Sequence, residues 1–187
     1  MNLFDLLAAV ANDLEEDGVV YALVGSLASS LYGRLRMSYD ADLVVRMTPA
    51  QSELLARKWE GRFHVSAEAM RSAVEQAGMA NVIDAASGWK VDLSVVPREP
   101  FYDAVLARRQ RVPLPGAAQD VWACSPEDTI LKKPLLRKDS RSDKQFYDAR
   151  QVVEMTGHRL DWKHLREWAS RLGIHEDLED LRKAALE

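Results

Sequence analysis

The chain has 187 residues, 47% hydrophobic and 29% charged, which suits one globular domain, or one with a small appendage, and supplies enough apolar material for a real core. Its 25 Lys and Arg are outnumbered by 29 Asp and Glu, and a net charge of −4 argues against a protein that coats nucleic acid, because that affinity comes from cations neutralising phosphates. No apolar run approaches the roughly 18 residues of a membrane span, the first residues carry acids where a signal peptide is basic, and the single cysteine, Cys124, excludes a cysteine metal cluster and reads as a small core residue, so a cytoplasmic protein with no membrane partner is expected.

Leu3, Leu6, Leu7, Val10 and Leu14 recur at helical spacing and predict an amphipathic helix ending near Asp17 and Gly18. The continuous apolar run 19–24 predicts a buried strand stopped by Gly25. Residues 26–32 then read as a short helix, with Gly33 suited to a left-handed C-terminal position. A second strand is expected from Asp40 to Arg46, ended by Thr48, Pro49 and Gln51, which supply a cap, a first-turn proline and a capping-box partner for a helix to about Glu60. Another helix is expected from Ser66 to about Gly78. Two strands at 81–85 and 89–96 follow, joined by a turn at Ser87 and Gly88.

Residues 101–109 read as helix and 111–123 as a crossing connection with one or two short strands. Ser125, Pro126, Glu127 and Asp128 form a strong helix start, and Pro134 is expected to kink or end that helix. The remainder is helical, with an apolar face at Trp162, Leu165, Trp168, Ala169 and Leu172 capped by Asp161, and the five tryptophans read as core. The fold class is therefore α/β, in the α+β sense: a small mixed sheet with helices over 1–120, then a helical subdomain over 121–187.

Three acids and a turn carry the chemistry. Asp40 and Asp42 sit two apart on a strand, so both carboxylates leave the same face. Held together near neutral pH they must raise a pKa or share a cation, and oxygen donors suit Mg²⁺ or Mn²⁺. Alone, such a pair is most often wet surface acid. Asp92, however, is a third acid set in mid-strand among Val91, Leu93, Val95 and Val96, where an unpaired carboxylate is costly and a metal or catalytic role is expected. Gly25 and Ser26 stand where a buried strand turns into a helix, so backbone N–H groups and a hydroxyl can face an anion. Arg34 and Arg36 precede the acid pair, and Lys132, Lys133, Arg137, Lys138, Arg141 and Lys144 form a local basic run that reads equally as a solvated face. The four histidines lack zinc-ligand spacing.

Leu23-Val24-Gly25-Ser26, Asp40-Ala41-Asp42-Leu43 and Val91-Asp92-Leu93, in this order and spacing, resemble the signature of the DNA polymerase beta type nucleotidyltransferase superfamily. The resemblance implies the minimal fold of that family, a nucleoside triphosphate gripped by Gly25 and Ser26, and two divalent ions on Asp40 and Asp42. It makes Asp92 the third carboxylate, which shares a metal and helps deprotonate the attacking hydroxyl. The stretch from Ser125 to Lys133, with Arg137 and Asp148, is similar to small bacterial nucleotidyltransferases of the abortive-infection toxin type. That similarity implies a triphosphate contact for Lys133, a structural role for Asp148, and tRNA or a protein as acceptor, with a small molecule as the alternative acceptor and an antitoxin as partner. Arg36 is a further candidate phosphate ligand. Two other readings are a non-catalytic nucleotide-binding or partner-binding module and, below it, a glycosyltransferase using Asp-x-Asp, which leaves Gly25, Ser26 and Asp92 unexplained.

Overall fold

The computed structural model describes residues 1–34, 38–117, 119–140 and 143–185, with the side chains of 136–140 and 143 outside that description. In chain order the elements are α1 (Leu3–Glu16), β1 (Val20–Val24), α2 (Gly25–Tyr32), β2 (Asp40–Arg46), α3 (Pro49–Trp59), α4 (Ala67–Gln76), β3 (Met79–Ile83), β4 (Lys90–Val95), α5 (Pro100–Ala107), β5 (Gln110–Val112), β6 (Val121–Ala123), α6 (Pro126–Ser140), α7 (Asp143–Thr156), α8 (Trp162–Leu172) and α9 (His175–Ala184). They make two compact units. One comprises Met1–Val24 and Ser38–Ala123, the other Gly25–Met37 and Cys124–Glu187. The α/β class expected from the sequence is observed.

The first unit holds a mixed six-stranded sheet in the order β3-β4-β2-β1-β6-β5. The β2/β4 and β1/β6 pairs are parallel, whereas β1/β2, β3/β4 and β5/β6 are antiparallel. Strand alternation sorts the central residues. Ala41, Leu43 and Val45 of β2 lie in register with Val91, Leu93 and Val95 of β4 and form an apolar face, while Asp40 and Asp42 leave the opposite face with Lys90 and Asp92. Helix α1 packs against β1, β2 and β4 through its fully buried Leu6, Leu7, Val10 and Leu14. Each such side chain contributes roughly 1.5–3 kcal/mol relative to exposure.

Local chemistry fixes the helix ends. Asn2 and Asp5 form a reciprocal capping box on α1, as do Thr48 and Gln51 on α3, where Pro49 occupies the first turn. Asp13, buried on α1, accepts from Trp59 Nε1 at 2.8 Å and from Arg62 Nη1 at 2.9 Å, which ties the first helix to the end of α3. Trp59 is also the one tryptophan of the five that is buried; Trp89, Trp122, Trp162 and Trp168 are half-buried, which corrects the core reading made from the sequence. Trp122 illustrates why. The guanidinium carbons of Arg109 and Arg111 lie 4.6 and 4.8 Å from its ring centre, a cation–π arrangement in which the ring packs against charged side chains and not only against apolar ones.

The second unit packs α2 against α6 and α7, with Tyr32 donating to the Cys124 carbonyl at 2.8 Å. Ser125 caps α6: its hydroxyl accepts from Asp128 N–H at 3.1 Å and donates to the Asp128 carboxylate at 2.9 Å. That carboxylate also meets His164 Nε2 at 3.0 Å, so α8 is held to the start of α6. Helix α6 runs on through Pro134 to Ser140 and does not end at the proline. Gly33 is a second correction. It is absent from the positive-φ glycines; a Cβ there would sit 3.0 Å from Ser29 O and 3.3 Å from Gln151 Cβ, so glycine is required by close approach of α2 and α7. Among the described residues no helix is long and apolar enough to cross a membrane.

Candidate active site

The acid row is built by strand register. Parallel pairing of β2 and β4 sets Asp42 beside Asp92 and Asp40 beside Lys90, and the antiparallel β3/β4 hairpin sets Asn81 on the other side of Asp92. On the far side of Asp42 its partner is Val24, the last residue of β1. One rung of the sheet therefore reads Asn81, Asp92, Asp42, Val24, with Asp40 and Lys90 two residues along the same face.

Asp92 is 5% exposed, and the burial of a carboxylate at that depth demands compensation. It receives two donors: Asn81 Nδ2 on Oδ1, and Lys90 Nζ on Oδ2 at 2.6 Å. Lys90 Nζ also lies 3.5 Å from Asp40 Oδ2, while Ser38 Oγ donates to Asp40 Oδ1 at 3.1 Å. The Asp92 carboxylate beside it, with a smaller contribution from Asp40, pushes the Lys90 ammonium above its ordinary pKa. Asn81 and Lys90 are the two residues that sequence reasoning passed over. Lys90 carries a readable signal, since it stands two residues before Asp92 on one strand; Asn81 becomes visible only once the hairpin register is known.

Among the described residues no group of three or more His, Cys, Asp or Glu side chains is arranged to hold a metal ion. Two acids of the row, Asp40 and Asp92, are bridged instead by the Lys90 ammonium. This arrangement bears directly on whether a divalent cation suits the place: the donors are carboxylate oxygens alone, and a positive charge already stands between two of them. Carboxylate oxygens are the donor type that Mg²⁺ or Mn²⁺ takes, but in this arrangement the three acids are not gathered around one point.

The other expected residues fall in the second unit. Gly25 opens α2 with φ +71°, a left-handed conformation that favours glycine, and Ser26 follows in the first turn, half-buried. Ser29 and Ser30 turn their hydroxyls back onto the carbonyls of Gly25 and Ser26 at 2.9 and 3.0 Å, keeping these polar groups satisfied inside the helix packing. Lys133 is 2% exposed, and its Nζ lies 3.0 Å from Asp148 Oδ2, a buried pair joining α6 to α7. Arg34 is exposed, and Arg36 lies outside the described residues. Of the basic run, Lys132 is half-buried and Lys144 exposed; the side chains of Arg137 and Lys138, and all of Arg141, lie outside the described residues. Cys124 is fully buried, and its thiol is pushed up to about 11 by that burial.

No family model matches the sequence. No curated protein matches it in sequence either. Solved structures do match over nearly the whole chain. An antigenic nucleotidyltransferase-like protein from Paracoccidioides brasiliensis superposes with a TM-score of 0.58 at 21% identity, covering 97% of this chain and 92% of that one. The chain has the nucleotidyltransferase fold. The antibiotic-resistance factor ANT(2'')-Ia matches with a TM-score of 0.56 at 12% identity, over 98% of this chain and 94% of its own. A putative nucleotidyltransferase from Thermotoga maritima gives 0.50 at 14% identity, over 75% and 88%. Within this nucleotidyltransferase fold, the sheet carries Asp40, Asp42 and Asp92 on its polar face.

Proposed function

We propose that the protein is a metal-dependent nucleotidyltransferase that moves a nucleoside monophosphate from a nucleoside triphosphate to a hydroxyl of an acceptor, releasing pyrophosphate. The observation that carries this reading is the pairing of Asp42 with Asp92 on adjacent strands, with Asp40 on the same face. The fold likeness supports it.

Asp40, Asp42 and Asp92 are the residues proposed to hold Mg²⁺ or Mn²⁺, which when bound supplies positive charge to the triphosphate and to the leaving pyrophosphate. In the transfer, the acceptor oxygen attacks the α-phosphorus, the bond from that phosphorus to the pyrophosphate oxygen breaks, and the hydroxyl proton passes to Asp92. Asn81 keeps the Asp92 carboxylate fixed for that role. Gly25 and Ser26 offer N–H groups and a hydroxyl to the β- and γ-phosphates. Arg36 and Lys133 are the further cations proposed for the triphosphate. Lys133 serves there only by trading its buried bond to Asp148. The acceptor classes are RNA such as tRNA, a protein, and a small molecule; the last accords with ANT(2'')-Ia being an antibiotic-resistance factor.

One observation favours a second reading. Because Lys90 bridges Asp40 and Asp92, two of the three acids have a counter-charge without metal, which suits a non-catalytic nucleotide-binding or partner-binding module of a toxin–antitoxin pair. Incubation with each α-labelled nucleoside triphosphate and Mg²⁺, offered total RNA, total protein and small-molecule extract, separates the two. Label transferred by the wild type and lost in Asp42→Ala supports the enzyme and names the acceptor class. Nucleotide binding with no transfer to any pool favours the module.

A further inference from the structure

We infer that Lys90 is a built-in competitor for the divalent cation: its ammonium occupies the cation position between Asp40 and Asp92 in the resting protein, and a metal enters only by displacing it. The inference rests on the metal-dependent reading above and goes beyond it, because it assigns a positioning residue and a condition for metal entry.

The geometry carries it. Lys90 Nζ is 2.6 Å from Asp92 Oδ2 and 3.5 Å from Asp40 Oδ2, so one cation already bridges two of the three proposed metal ligands. Its place is set by backbone pairing, since Lys90 is the Cα partner of Asp40 and stands two residues from Asp92 on the same strand face. The side chain is 38% exposed and Asp40 36%, so the bridge stands at the open edge of the row and the ammonium has water to swing into. Asp92, only 7% exposed in its side chain, has no such freedom and depends on a cation being present.

Two cations competing for one pair of carboxylates are thermodynamically coupled, and the coupling is reciprocal. While Lys90 stays, an ion arriving alone must meet its repulsion and break its bond to Asp92. A triphosphate changes that balance: its negative charge gives the displaced ammonium a new partner and brings further oxygen ligands for the metal. Metal entry then becomes conditional on nucleotide, and the free protein resists loading with metal at concentrations where the nucleotide complex loads fully. Removal of the Lys90 charge abolishes the condition.

The test is Mn²⁺ binding followed by the electron paramagnetic resonance signal of the free ion, on the full chain, without ATP and with ATP as the further loss of signal beyond a protein-free Mn²⁺–ATP control, for wild type, Lys90→Met and Lys90→Arg. Lys90→Met keeps the chain length without the charge, and Lys90→Arg keeps the charge. Lys90→Met is expected to bind Mn²⁺ without nucleotide on the order of tenfold more tightly than wild type, with Lys90→Arg close to wild type. Its melting temperature should also rise more on adding Mn²⁺. Unchanged or weaker Mn²⁺ binding in Lys90→Met, with wild type binding Mn²⁺ in the presence of ATP, overturns the inference and leaves the enzyme reading standing. Should Lys90→Met not fold, Lys90→Gln takes its place with the same expectation. No Mn²⁺ binding by any form, with or without ATP, overturns both.

Discussion

Asp42 and Asp92 are Cα partners on two parallel strands, and the same rung places Asn81 against Asp92. Two carboxylates and an amide are thus set side by side by backbone hydrogen bonding, which leaves their spacing insensitive to the loops around them. Replacing Asp42 tests the acid and not the scaffold. Asp42→Asn is expected to lower nucleotidyl transfer by on the order of a thousandfold, with the melting temperature unchanged, measured by label transfer and thermal denaturation.

Asn81 donates to Asp92 Oδ1. Asn81→Ala leaves one oxygen of a buried carboxylate without that donor and is expected to cost about 1 kcal/mol of stability and about 10- to 100-fold in transfer. Asn81→Asp places a second negative charge in its stead and should be the worse of the two. Urea denaturation and steady-state kinetics check both.

Lys133 and Asp148 form a pair with side chains 3% and 7% exposed. Removing one member takes from the other the counter-charge of a buried ion pair, so Lys133→Met or Asp148→Leu alone should each cost about 3–5 kcal/mol. The double variant should recover most of that loss. A double-mutant cycle in urea measures the coupling, and the nucleotide affinity of the stable double variant reports separately on any part Lys133 plays with the triphosphate.

Gly25 and Gly33 answer to different constraints. Gly25→Ala must hold a side chain at φ +71° and is expected to cost about 1–2 kcal/mol. Gly33→Ala meets the Ser29 carbonyl at 3.0 Å and should cost a further distinct 1–3 kcal/mol or so through displaced packing of α2 and α7. Only Gly25→Ala should also weaken triphosphate binding, by calorimetry.

Burial pushes the Cys124 thiol from its ordinary 9.0 up to about 11, and burial likewise raises Tyr21 and Tyr32. Folding holds all three protonated, so their contribution to stability is complete below the unfolded pKa values and is lost as the pH rises through the folded ones. The melting temperature should therefore fall from about pH 9 upward, and Cys124 should resist alkylation in the native state and react on unfolding.

Much of this was readable from the chain because the signals were local. The run Asp40 to Arg46 is the observed β2, the caps at Thr48 and Asp161 start α3 and α8, and Ser125 with Pro126 starts α6. What escaped depends on partners distant in sequence. Nothing in the alternation of β4 says that its antiparallel neighbour brings Asn81 to Asp92. Gly33 lacks the expected left-handed conformation, and the contacts a Cβ there would make, with Ser29 O and with Gln151 on another helix, are not written in its neighbours. Trp122 was apolar by composition but is half-buried, with two arginines stacked on it. Asp92 looked like a charge in want of a cation, and the cation that the fold supplies is Lys90.

The most direct measurement of the central claim needs no acceptor. It is a calorimetric titration of the protein with each nucleoside triphosphate, with Mg²⁺ and with Mg²⁺ withheld, for wild type and Asp42→Asn. Nucleotide binding that requires the metal in wild type and is lost in Asp42→Asn is the predicted result. Binding that is indifferent to Mg²⁺, or equal in the two proteins, would contradict it.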